Sequence, residues 1–239
     1  MFRKALLPFF ALLPQSLSAQ DFAASNLSLS ENASDTILAI IATGTFLAAA
    51  PAILIMVTCF PFFVTVFAIM RQGIGLQQSP PNMLLIGLAL FMTFFVMEPI
   101  FLQAWNDGIQ PVRAGTLSFE EGFTRASEPF VSFMQKRTDP DTLYAMEQAR
   151  AIGEQSENTT LTTIIPAFVI SEISHAFQVG FLIYLPFLII DLVVSAVLMS
   201  MGMMMVPPAV VSLPFKLGFF VLSDGWSLIT LRLIESYGT

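Results

Sequence analysis

Long uncharged blocks fill both halves of the chain, with one short charged segment between them. Thr36 to Met70 is 35 residues without a charge, and Gln72 to Met97 is another 26, parted only by Arg71. Each exceeds the ~20 apolar residues that cross a bilayer core. One straight helix over the first block would be ~50 Å long at ~1.5 Å per residue. That block contains Pro51 and Pro61, so a bent or broken helix is expected. In the second half, Ile173 to Ile190 carries only His175 as an ionisable group, and Leu192 to Phe215 is 24 residues without a charge. A last stretch, Leu217 to Leu233, is interrupted by Asp224 and Arg232. The pattern predicts an all-α membrane-associated protein. About four hydrophobic helices, broken by proline, form two hairpins over residues 36–106 and 158–239.

The N-terminus has the grammar of a secretory leader over residues 1–19: Arg3 and Lys4, an apolar stretch from Ala5 to Leu13, then small residues up to Ala19. Cleavage is expected near Ala19, and an uncleaved anchor is the alternative. With the new terminus outside, residues 20–35 are extracytoplasmic and the loop holding Arg71 falls in the cytoplasm, as the positive-inside rule prefers. The segment 107–157 then lies outside. It holds nine acidic and five basic residues and is the one part composed like a soluble domain. Ser118-Phe-Glu-Glu121 reads as a capping box, followed by an apolar stripe of Phe119, Phe123, Ala126, Phe130 and Phe133 bent near Pro129. Asp139-Pro140 reads as an N-cap and first-turn proline of a second helix that Gly153 closes. Two short helices on the far side of the membrane are expected; that they simply pack on each other is the alternative to a ligand site.

Composition narrows the function. The 239 residues are 55% apolar and 11% charged, with a net charge of −7, or −9 once Arg3 and Lys4 leave with the leader. An acidic chain lacks the basic footprint of a nucleic-acid binder. One cysteine, Cys59, leaves no disulfide framework and no thiolate cluster. Gly73-Ile-Gly75 lacks the third glycine of a nucleotide loop. Glu172 and His175 have the E-x-x-H spacing of bundle metal sites, but the chain has one histidine, so a packed or interfacial histidine is the preferred reading. No nucleophile constellation is present. No catalytic residue, metal or cofactor is expected.

Two turns stand out. Gly75 to Pro80-Pro81 and Gly202 to Pro207-Pro208 share a Gly-x4-Pro-Pro pattern between apolar blocks, from related hairpins or by chance. In the second, Met199 to Pro208 has Ser200 as its one polar residue, with Met201, Met203, Met204 and Met205 crowded together. Such a backbone must be shielded by protein or line a constriction. Methionine is unbranched and soft, so a ring of methionines can seal around a heterogeneous polymer; filling an irregular core gap is the other reading. Glu98, Glu172, Asp191, Lys216 and Asp224 lie inside apolar blocks and should pair or face water. Glu172 and Lys216 are opposite in sign on the two arms of the second hairpin and are expected to pair, within the chain or between neighbours. Arg71, Pro80, Pro81, Asp191, Gly202, Pro207, Pro208 and Asp224 are the candidate structural or interface positions.

These residues resemble a known family. Arg71-Gln-Gly-Ile-Gly-Leu-Gln-Gln-Ser-Pro-Pro-Asn82, Ile189-Ile-Asp-Leu192, Met201-Gly-Met-Met-Met-Val-Pro-Pro208, Leu213-Pro-Phe-Lys216 and Asp224-Gly-Trp226 look like the FliP export-gate family. The likeness runs from about Ala50 to Trp226. Two departures stand out: Pro61-Phe62 where the family usually has Thr-Arg, and Ser174 where it has Lys. The resemblance implies a core subunit of the flagellar type III secretion export gate, at the inner membrane and the basal body. It implies a pentameric homo-oligomer with FliQ and FliR, FlhB and FlhA alongside, passing unfolded flagellar proteins outward on proton motive force. It matches Met203, Met204 and Met205 to a pore gasket and Glu172 and Lys216 to an intersubunit salt bridge. It also implies a helical cone held largely above the bilayer plane, in which a simple four-span topology fails. The homologous injectisome subunit is the nearest alternative, and a small-solute channel or transporter a more remote one.

Overall fold

Proline and glycine set most of the element boundaries. The computed structural model describes residues 31–76, 79–151, 161–203 and 205–238, so the expected leader, most of segment 20–35, Gly153 and Met204 lie outside the described residues. Every regular element among them is helical. The chain divides into two units, the first ending at Ala50 and the second beginning at Pro51. Helix α1 (Glu31–Met56) runs on through Pro51 and ends before Pro61. After a break at residues 57–59, α2 (Phe60–Ile74) starts with Pro61 in its first turn, where the missing N–H leaves no bond unmade. The expected interruption of the first block is therefore at Pro61 and not at Pro51.

α2 is the inner helix of the second unit. Phe62, Phe63, Val66, Phe67 and Met70 recur at helical spacing and are at most 1% exposed. At 15 residues it is too short to cross a bilayer. Its apolarity is spent on the protein core. α3 (Asn82–Ala104) continues through one π-helical turn (Trp105–Ile109) into α4 (Gln110–Arg113). That rod of 32 residues runs past the expected boundary at residue 106. α5 (Phe119–Arg137) lies across it, with Gly108 and Gly122 at the crossing. A Cβ on Gly108 would stand 2.5 Å from the Ala126 Cβ and 2.6 Å from the Gly122 carbonyl oxygen. Gly108→Ala is therefore expected to destabilise the protein by about 1–3 kcal/mol through overpacking. Gly87→Ala, where nothing lies within 4 Å, is expected to be neutral or mildly stabilising; thermal melts of the two variants in one detergent check the contrast.

The capping box forms as expected: Ser118 Oγ accepts the Glu121 N–H at 3.2 Å and Glu121 Oε2 accepts the Ser118 N–H at 3.2 Å. The Ser118 N–H and the Ser118 hydroxyl, which donates to the same Oε2 at 3.0 Å, hold the exposed Glu121 carboxyl below the usual carboxylate range. The expected stripe is only half right, because Phe119 and Phe123 are 79% and 60% exposed. The buried face is Gly122, Pro129 and Met134, rotated by about one residue, since the small residues permit the close approach to the rod. Asp139 caps α6 (Pro140–Ala151), accepting the Thr142 N–H at 3.0 Å. The two short helices do not pack mainly on each other; both lie along α7.

α7 (Leu161–Ser200) is the spine, 40 residues or ~60 Å long, against which α2, α5, α6 and α8 pack. α8 (Pro208–Leu222) and α9 (Gly225–Gly238) follow, bent by 60° at Ser223 and Asp224. Asp224 has φ +48°, the left-handed region that aspartate tolerates better than most residues. Among the described residues two helices are long and apolar enough to cross a membrane, or three if the bent pair is one span. The sequence pattern implied about four. The part of the first uncharged block that lies in α2 is too short to span and turns its apolar face to protein.

Candidate functional site

The methionine turn is built by the ends of α7 and α8. α7 closes in a Schellman motif: Gly202 N–H donates to the Met199 carbonyl at 3.0 Å and Met203 N–H to the Leu198 carbonyl at 3.0 Å. This needs the left-handed φ of +74° at Gly202. The motif commonly sets the residue after glycine against the one five positions before it, and Met203 and Leu198 both line the crevice between α7 and α8. Pro207 then takes the N-cap of α8 and Pro208 its first turn. Met203 is 42% exposed and Met205 98% exposed. The methionines thus face different ways, Met203 toward the crevice and Met205 into the open.

The turn of the first hairpin follows the same plan. α2 ends at Gly75 with φ +89°, its N–H on the Gln72 carbonyl, and Pro81 takes the N-cap of α3. Arg71 braces this turn, donating to Asn82 Oδ1 and, at 3.4 Å, to the Pro80 carbonyl. The sequence echo therefore has a structural counterpart: a left-handed glycine ends one helix and a proline pair starts the next.

Glu172 and Lys216 do not meet within the chain. Glu172 is fully buried on α7, where Arg137 Nε donates to its Oε1 at 3.1 Å and the Tyr237 hydroxyl donates to its Oε2. Arg137 also lies 4.3 Å over the Tyr237 ring and donates to the Ser236 carbonyl at 3.3 Å. The Tyr237 ring packs on Phe62 and Phe63 at 5.4 and 5.5 Å between centroids. Phe62 is therefore part of the wall around this pair, and Arg137 is the cation on Glu172. Lys216, 5% exposed, donates to Asp191 Oδ2 at 2.5 Å and to the Gly73 carbonyl at 3.1 Å. Ser212 donates to Asp191 Oδ1 at 2.5 Å.

Sequence reasoning missed Arg137, Ser212 and Tyr237. Distance from the turn would have found the second pair. Asp191 lies nine residues before the end of α7 and Lys216 eight after the start of α8, so both stand ~13 Å from the turn. Glu172 lies ~30 Å further down. His175 Nδ1 is buried without a hydrogen-bond partner, both Glu172 oxygens are taken by Arg137 and Tyr237, and among the described residues no three His, Cys, Asp or Glu side chains converge as ligands would.

Comparison with known proteins covers the parts just described. The FliP family profile matches residues 44–233, which include both glycine–proline turns, the methionine turn and both ion pairs. The chain belongs to the FliP family. The flagellar biosynthetic protein FliP of Rhizobium meliloti is 51% identical over 197 residues, 81% of this chain and 80% of that protein. FliP of Caulobacter vibrioides is 44% identical over 229 residues, 95% and 86% of the two chains. FliP of Bacillus subtilis is 46% identical over 209 residues, 87% and 94%. As a member of the FliP family the chain is a flagellar export component, a transport protein with apolar helices able to cross a membrane.

Proposed function

We propose that this chain lines the channel through which unfolded flagellar proteins cross the inner membrane, and that its methionine turn is the seal of that channel. The observation that carries the reading is the turn itself. Its backbone is closed by glycine and proline, no polar side chain follows Ser200 before Pro208, and Met205 is 98% exposed. A loop that greasy is stable where copies of it face one another, and thioether side chains yield to passing chains of different shape. The full assembly in this proposal is a pentamer joined by FliQ and FliR, with FlhB and FlhA alongside. A Glu172–Lys216 pair between neighbouring subunits belongs to it only if both side chains leave the partners they hold within the chain.

A single cysteine tests the reading. Met205→Cys in a Cys59→Ala background is expected to give intersubunit disulfides on mild oxidation of the assembled complex, because Cβ atoms must approach within about 4.5 Å to bridge. Leu222→Cys, 90% exposed on α8, serves as the comparison. Absence of cross-linking at position 205 in an assembled complex would overturn the axial placement.

A further inference from the structure

The second hairpin is fixed by one polar brace and overhangs it. Beyond the cluster of Asp191, Ser212 and Lys216 the facing sides of α7 and α8 are apolar up to the turn. An open crevice of about 530 Å³ runs between them from the level of the brace to the turn, lined by Ile190, Val194, Leu198, Met203, Val211 and Phe215 among others, with no polar side chain. Apolar contacts hold two helices together without fixing their angle tightly, because they are non-directional. Directional bonds do fix it, and those described here between the arms all centre on Asp191: from Ser212 at 2.5 Å and from Lys216 at 2.5 Å.

Lys216 reaches further. Its ammonium also donates to the carbonyl of Gly73, in the last turn of α2, where helix carbonyls lack partners of their own and a cation is favourable. The turn that follows lies beside the same side chain: a Cβ on Gly75 would stand 3.4 Å from Leu213 and 3.9 Å from the Lys216 ammonium. One buried ammonium thus joins the end of the first turn's leading helix to both arms beneath the second turn.

We propose that Lys216 is the positioning residue of the methionine turn. By binding Asp191 and the Gly73 carbonyl at once it sets the angle of the overhang and couples the two glycine–proline turns, so that a displacement of one is felt at the other. The inference rests on the reading of the turn as a seal only for its consequence, not for its geometry.

Hydrogen exchange on the purified complex, with ion leakage from cells producing the same variants, tests this. Lys216→Met keeps the bulk and loses the donor. It is expected to raise exchange about tenfold at residues 201–206 and at 75–76, with α5 unchanged, and to make cells leak although every methionine is present. The exchanged pair, Asp191→Lys with Lys216→Asp, restores the bond between α7 and α8 but not the one to Gly73. It is expected to restore protection at 201–206 and not at 75–76, a split that a residue merely filling space would not produce. Unchanged exchange at both turns in Lys216→Met overturns the proposal, and so does a rise at one turn alone. If Lys216→Met fails to accumulate, Asp191→Asn is judged on residues 201–206 by the same criterion. A rise in exchange without leakage leaves the brace standing and removes the seal.

Discussion

Removing Met203 to Met205, or replacing all three by alanine, is expected to leave the subunit present at normal levels and the cell envelope permeable to small ions. The reasoning separates fold from seal. Of these residues Met203 is partly exposed and Met205 almost wholly so, so little buried area is lost on truncation and the stability change should stay within the small range of surface substitutions, about ±0.5 kcal/mol for Met205. The Schellman bonds of Gly202 and Met203 use backbone atoms and survive in the alanine variant. What disappears is soft volume at the tip. An axial constriction closed by methionine side chains would open by several ångströms when each loses its thioether, enough for hydrated ions. Potassium release and growth at high salt read this out. Normal permeability together with normal motility in the triple-alanine strain would refute the seal.

The second large effect is expected at the buried pair. Arg137→Met should cost about 3–5 kcal/mol, because it leaves the fully buried Glu172 carboxylate without its counter-charge. Glu172→Met should cost less, since the Arg137 side chain it leaves is 24% exposed and can reach water. The double variant should recover much of the loss, as apolar replacements of a buried pair often do. Chemical denaturation of the four proteins in detergent gives the coupling energy. Equal losses for the two single variants, or additivity in the double, would contradict the described geometry.

Local signals were legible because their physics is local. Pro61 opens a helix, since its missing N–H leaves no bond unmade in a first turn, Ser118 and Glu121 satisfy each other three residues apart, and Gly75 and Gly202 stop helices by taking a left-handed φ. Hydropathy failed at α2 for a reason of principle: it reports the preference of a side chain for leaving water, and Phe63 inside a protein scores as it would in lipid. The partner of Glu172 was illegible for another. Arg137 and Tyr237 lie 35 and 65 residues from it, on α5 and α9, and nothing in the periodicity of either helix says which residue of α7 it meets. The Asp191–Lys216 pair was within reach, because a hairpin places residues equally far from its turn side by side.

The separation between Glu172 and Tyr237 also bears on synthesis. At about 5–20 residues per second the ribosome takes roughly 3–13 s to add the intervening stretch. Throughout that interval, and until Tyr237 itself clears the ribosome, the carboxylate lacks its phenol and the Phe62 and Phe63 rings lack the tyrosine they pack on. The nascent polypeptide thus carries a gap in its centre until the closing tyrosine is translated, and anything that tugs on the final helix, such as an appended tag under load, would reopen it.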